Sequence, residues 1–108
     1  KKKAKTVDPL EFALSIAAED IALYEPAFGW EYDEPTPKQL SYLYKHGIAT
    51  DAVTTKGLAS VLIDKIIRRQ NAGLSTPKQI RFLQQYGYDD AASWSFEKAK
   101  HKISEILN

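Results

Sequence analysis

The sequence predicts an all-α fold of about five helices: an N-terminal helix, then two tandem helix–extended-loop–helix repeats with a period of 40 residues. Three observations predict it. The stretch TPKQ stands at Thr36–Gln39 and again at Thr76–Gln79. Sliding residues 36–68 onto 76–108 without a gap gives ten identities, and outside TPKQ they are all Leu, Gly, Ala or Ile: Leu43/Leu83, Gly47/Gly87, Ala52/Ala92, Ala59/Ala99, Ile63/Ile103 and Ile66/Ile106. Apolar residues also recur at helical spacing along most of the chain. Matches confined to such positions mean that both copies keep one packing scheme. The expected organisation is an acidic N-terminal helix and aromatic bridge over 1–35, repeat one over 36–70 and repeat two over 71–108, all packed as one domain.

The N-terminal helix starts at Asp8-Pro9-Leu10-Glu11, with Asp as cap and Pro at the first helical position, where its missing N–H costs nothing. Leu10, Leu14, Ala17, Ile21 and Tyr24 recur at helical spacing and predict one helix ending near Tyr24 to Pro26, its apolar surface widened by Phe12, Ile16 and Leu23. AFGWEYDEP then bridges to the first repeat, with Phe28, Trp30 and Tyr32 expected to pack onto the bundle. In TPKQ, Thr is an N-cap, Pro occupies N1, and Gln at N3 reaches back to the N–H of the cap. Leu40 and Leu43, and in the second copy Ile80 and Leu83, mark the buried faces of these helices, which end at Gly47 and Gly87 in the left-handed position that closes a helix. After a polar connection, a second helix begins near Thr54 or Thr55, and near Ser93 or Ser95 in the second copy. Leu58, Ala59, Leu62, Ile63, Ile66 and Ile67 form the first stripe; Phe96, Ala99, Ile103, Ile106 and Leu107 form the second. Lys102 replaces Leu62, which suits a terminal helix facing solvent.

Composition excludes several classes of function. Zero cysteines rule out a disulfide framework and thiolate metal sites, and two isolated histidines, His46 and His101, argue against a His-based one. No metal or membrane partner is expected, since no apolar run approaches the ~20 residues that span a bilayer; a reducing cytoplasm suits the chain. The absence of Met, even at position 1, suggests a piece of a longer protein. No phosphate-binding loop, HExxH, nucleophile elbow or dinucleotide fingerprint occurs. The adjacent carboxylates Glu19/Asp20 and Asp89/Asp90 lack the convergence that acid–base chemistry needs. His46, before Gly47 at a helix C-terminus, reads as a capping imidazolium favoured by the dipole. No catalytic residue and no cofactor are expected here. The net charge of +1 conceals a split: Thr6–Pro35 holds eight acids and no Lys or Arg, Thr36–Asn108 holds eleven Lys/Arg against six acids, and the remaining four positive charges are Lys1, Lys2, Lys3 and Lys5. Such an asymmetry points to a polyanionic partner for one part only.

DPLEFALSIAAEDIALYEPAFGWEYDEPTPKQL, KGLASVLIDKI and GLSTPKQIRFLQQYG together resemble the C-terminal tail of DEAD/DEAH-type superfamily-two helicases of bacteriophages and bacteria. The resemblance covers nearly the whole chain. It implies an accessory domain whose parent carries the ATPase lobes, with ATP and Mg bound there, and it implies DNA and the parent's helicase lobes as partners. Each repeat is also similar to the helix–extended-loop–helix units of SAP and related DNA-binding modules. Copy two departs from that pattern, with Ser95-Phe96 where copy one has Thr55-Lys56.

The expected nucleic-acid-binding residues are Lys38, Lys45, Thr55, Lys56, Lys65, Arg68, Arg69, Lys78 and Arg81. Lys38 and Lys78 sit at N2 of capped helices, where free backbone N–H groups and the positive end of the dipole attract phosphate. Lys56 has a similar place on the next helix, Lys65, Arg68 and Arg69 cluster at its far end, and Arg81 lies one turn beyond Lys78. This pattern predicts backbone recognition with little sequence preference. Tyr42, Tyr44, Phe82, Tyr86, Tyr88 and Trp94 are assigned to the core or a domain seam rather than to base stacking. Two rival readings stand: a protein-interaction module docking on the helicase lobes or a replication partner through the acidic helix and FGWEYDE, and a structural cap.

Overall fold

Both copies of TPKQ start helices in the same way. In the computed structural model, which describes residues 6–108, Thr36 Oγ1 accepts from the Gln39 N–H at 3.1 Å and Gln39 Oε1 accepts from the Thr36 N–H at 2.9 Å. Thr76 and Gln79 repeat the pair at 3.1 and 3.0 Å. Two orphan donors are thereby satisfied at each start. The helices that follow are α3 (Pro37–Lys45) and α5 (Pro77–Gln85). Thr55 and Ser95 cap the second helix of each repeat, α4 (Lys56–Asn71) and α6 (Phe96–Leu107). The front of the chain contributes α1 (Pro9–Ser15) and the single turn α2 (Glu19–Ala22). Short 3₁₀ turns occupy Gly29–Tyr32 and Ala91–Ser93. The fold is all-α, and the described residues include no strands beyond two isolated bridges, Val7 with Ile48 and Leu74 with Ser95.

The repeat extends to individual hydrogen bonds. Gly47 and Gly87 both take φ of 90°, and the residue after each donates back to Leu43 and Leu83 at 2.9 and 3.1 Å, closing α3 and α5 with the same left-handed motif. The Lys56 N–H donates to the Asp33 carbonyl at 2.7 Å, and forty residues on the Phe96 N–H donates to the Gly73 carbonyl at 2.8 Å. Val53 to Thr50 and Ser93 to Asp90, both 3.0 Å, match again in the connection.

The N-terminal helix is divided, against the single helix expected. Ala17 stands at φ 56°. The Ala17 N–H donates to Leu14 and the Ala18 N–H to Ala13, at 3.2 and 2.8 Å, the pairing that ends a helix. The break changes which residues are buried. Phe12, Ala13, Ala18 and Ile21 enter the core, while Leu10, Leu14, Ala17 and Leu23 stay exposed. The stripe predicted from continuous periodicity therefore does not form. Phe28, Trp30 and Tyr32 are at least half exposed, although the turn Gly29–Tyr32 does lie against α4. What holds their turn in place is Glu31, which is buried.

Two buried clusters organise the interior. The larger joins Phe12 and Ile21 to Leu43 and Ile48 of repeat one, to Ala59, Leu62 and Ile66 of α4, and to Ile80 of α5; the smaller holds Leu83, Ala91, Trp94 and Ala99 of repeat two. Extents of 48 × 32 × 21 Å fit two such clusters side by side. The Arg69 guanidinium reaches across the junction, its Nη2 donating to the carbonyls of Ser75 and Ala92 at 3.1 and 2.8 Å and to Ser75 Oγ at 3.3 Å. Gln84 Nε2 donates to Ser15 Oγ at 3.3 Å, tying α5 to α1. In α6, Phe96 and Leu107 are exposed, so the expected stripe narrows to Ala99, Ile103 and Ile106. Lys102 pairs with Glu105 at 3.1 Å instead of entering a core as Leu62 does.

Candidate nucleic-acid interface

Four of the expected basic residues form a set without carboxylate partners. Lys38, Lys45 and Lys78 are exposed and Lys56 is half-buried. None of the four takes part in an ion pair among the described residues. Lys38 and Lys78 follow the N1 prolines of α3 and α5, beside backbone N–H groups with no carbonyl partner inside the helix.

The tertiary structure adds a junction that linear spacing does not contain. The stem of Lys78 lies over Gly47: a Cβ on that glycine would stand 2.6 Å from Lys78 Cγ. The start of α5 is thus seated on the end of α3. His46 is held below the ordinary histidine range, first by burial and then by the nearby charges of Lys45 and Lys78. Its ring stacks on Tyr42 with centroids 4.2 Å apart. Desolvation and two cations oppose the imidazolium here, against the preference of the helix dipole for the capping cation read from the sequence. Lys38 stands at the start of α3, and Lys78 is seated beside its end at Gly47, nine positions on from Lys38 and roughly 13 Å away at the helical rise.

The other expected residues are placed differently. Lys65 Nζ is 3.6 Å from Asp20, and Arg68 Nε is 2.7 Å from Asp64 one turn earlier on α4. Arg69 is turned inward as described above, and burial lowers its affinity for its proton. Arg81 is half-buried and engaged within the fold. The Thr55 hydroxyl oxygen accepts from the Leu58 N–H at 3.2 Å, which makes Thr55 the cap of α4. The aromatics divide as well. Trp94 is buried under Lys98, whose Nζ stands 4.3 Å from the ring centroid, and Tyr88 packs beside it. Phe82 and Tyr42 are partly buried against the core, whereas Tyr44 and Tyr86, expected in the core or at a domain seam, are exposed, Tyr86 lying beside the Phe82 ring at 5.0 Å.

The junction of the acidic front with α4 carried no signal in the sequence. The Tyr24 hydroxyl donates to Glu31 Oε1, and the Phe28 N–H donates to Glu31 Oε2 at 3.0 Å. Burial and the Glu31 carboxylate push the Tyr24 phenol up to about 12. The Tyr24 hydrogen bond, with help from the backbone, holds the Glu31 carboxyl below its usual range against the opposing effect of burial. This pair rests against Gly57, where any Cβ would overlap the Tyr24 hydroxyl and stand 2.8 Å from Glu31 Cβ.

No helix of the described residues is long and apolar enough to cross a membrane, and they hold no cluster of metal-ligating side chains. No protein-family model, curated protein or solved structure matches the chain.

Proposed function

We propose that this chain is a non-catalytic accessory domain of a helicase, and that it grips the phosphate backbone of DNA with little sequence preference. The observation that carries the reading is the duplicated helix start: two structurally identical capped N-termini, each presenting an unpaired lysine at N2, with Lys45 beside the second. The capping boxes and the N1 prolines leave one backbone donor at each start, the N–H of Lys38 or Lys78 itself, so each lysine offers a directed donor together with its charge, a combination suited to phosphate and indifferent to base identity. The binding set is Lys38, Lys45, Lys56 and Lys78. Arg69 leaves it because its guanidinium is committed to the fold, while Lys65, Arg68 and Arg81 are secondary because each already has a partner. The helicase assignment comes from the sequence resemblance; on that reading ATP, Mg and hydrolysis belong to the parent, and the setting is the cytoplasm of a bacterial cell.

A fluorescence-anisotropy titration with a 20-base-pair duplex of random sequence tests the reading. Four neutralised phosphates give a slope of about −3.6 in log affinity against log salt, or roughly a 150-fold loss between 50 and 200 mM. Lys38→Glu combined with Lys78→Glu lowers affinity at every sequence tested and leaves a slope of about −1.8. An unchanged affinity in that folded double variant refutes the proposal.

A further inference from the structure

We infer that the acidic front of the molecule is a docking surface for a protein segment that presents one large apolar side chain flanked by Lys or Arg. A cavity of about 430 Å³ opens between α1, α2 and the start of α4, with Leu10, Ile21, Tyr24, Pro26 and Leu58 among its walls. Its apolar surface continues beyond the mouth. Leu10 is 52 % exposed while lining the cavity, and Leu14, one turn along α1, is 65 % exposed. On the other side the Tyr32 hydroxyl donates to the Pro26 carbonyl at 2.9 Å, which fixes a 63 % exposed ring at the rim. A contiguous apolar strip of this kind, built around a recess, marks a surface shaped for association.

Charge selects the occupant. Asp8 lines the cavity, the exposed Glu11 and Glu25 lie close by in the chain, and the whole stretch from Thr6 to Pro35 carries eight acids and no Lys or Arg. The cations nearest in sequence are Lys56, which follows the wall residue Thr55, and Lys5, three residues before Asp8; with Lys1, Lys2 and Lys3 counted as well, residues 1–35 still carry a net charge of −4. Nucleic acid and anionic lipid are repelled by such a field, whereas a cationic peptide is drawn to it. The recess has room for a Leu- or Phe-sized anchor, and the exposed side chains of Leu10, Leu14 and Tyr32 offer further apolar surface to the residues beside it. The surface does not use the lysines of α3 and α5 and meets the DNA-binding set only at Lys56, which follows the wall residue Thr55, so this inference can fail without the DNA reading failing.

The experiment is selection of a random linear-peptide display library on the whole chain, followed by anisotropy titration of the most enriched peptide in synthetic form. The expected peptide carries a large apolar residue with at least two Lys or Arg within four positions. Leu10→Ser combined with Tyr32→Ser, both surface changes checked for an unaltered thermal midpoint, weakens it at least tenfold, as does Glu25→Lys alone to a smaller extent. Enrichment of peptides without basic residues, no enrichment at all, or equal binding to the double variant overturns the inference. DNA titration of the Leu10→Ser, Tyr32→Ser variant remains unchanged, so loss of one activity does not imitate loss of the other.

Discussion

Gly57→Ala is the most informative single change, because helix propensity and packing predict opposite signs for it. Gly57 is the second residue of α4, and an alanine in a helix is favoured over glycine by about 1 kcal/mol. Against this, a Cβ would overlap the Tyr24 hydroxyl and press at 2.8 Å on Glu31 Cβ. Neither neighbour moves freely, since the phenol is hydrogen-bonded to Glu31 and Glu31 is held from the other side by the Phe28 N–H. Forced overpacking of this kind costs about 3 kcal/mol at its upper range. The balance is a loss of about 2 kcal/mol. At an unfolding entropy near 2.1 cal/mol/K per residue, that lowers Tm by roughly 9 °C. Thermal unfolding followed by circular dichroism measures it. Gly29→Ala is the control, because a Cβ at Gly29 meets nothing within 4 Å, and its effect stays within about 0.5 kcal/mol. Adding Tyr24→Phe to Gly57→Ala removes the overlapping oxygen and recovers part of the loss, a coupling that a double-mutant cycle resolves. A Tm that rises by ~4 °C in Gly57→Ala, as propensity alone would give, refutes the docked arrangement of Tyr24 and Glu31.

Three further outcomes follow from the geometry. Ala17→Gly relieves a left-handed alanine that costs about 1–2 kcal/mol, and after the added freedom of the unfolded chain it stabilises by about 0.5–1 kcal/mol, measurable in urea. Arg69→Met keeps the stem but strands the Ser75 and Ala92 carbonyls, so it lowers stability by about 2 kcal/mol while leaving the salt slope of DNA binding unchanged, which separates its structural role from a contact role. His46 binds a proton less readily in the folded chain than in the unfolded one. Its contribution is therefore neutral above the ordinary value of 6.5 and destabilising as pH falls below it; compared with His46→Gln, the wild type loses Tm between pH 7 and 5 and the difference vanishes above pH 7.5.

Much of this architecture is local, and so it was legible. Each of the caps Asp8, Thr36, Thr55, Thr76 and Ser95 bonds to N–H groups two or three residues away, and Gly47 and Gly87 close helices through bonds spanning five. Such signals need no knowledge of the remainder of the chain. The N-terminal helix misled because its apolar periodicity runs through Ala17, a residue that gives no warning of a left-handed turn. Only packing of Phe12 and Ala13 on one side and Ile21 on the other selects the break, and that selection leaves Leu10 and Leu14 outside.

The candidate interface divides along the same line. Lysines at N2 of two capped helices are properties of the sequence by itself, since helix register puts them beside free N–H groups wherever those helices lie. The acidic front and basic repeats are likewise countable. Which cations remain unpaired was only partly a tertiary decision: Asp64 takes Arg68 one turn away on the same helix, a local pairing, whereas Asp20 takes Lys65 and the Ala92 carbonyl takes Arg69 only because the fold brings them together. The seating of Lys78 on Gly47, the reduced proton affinity of His46 near Lys78, and the recess bounded by Leu10, Ile21 and Leu58 are decided by the fold. Each depends on groups well separated along the chain meeting in space, and the energy of that contact is set by distances that spacing along the chain does not contain.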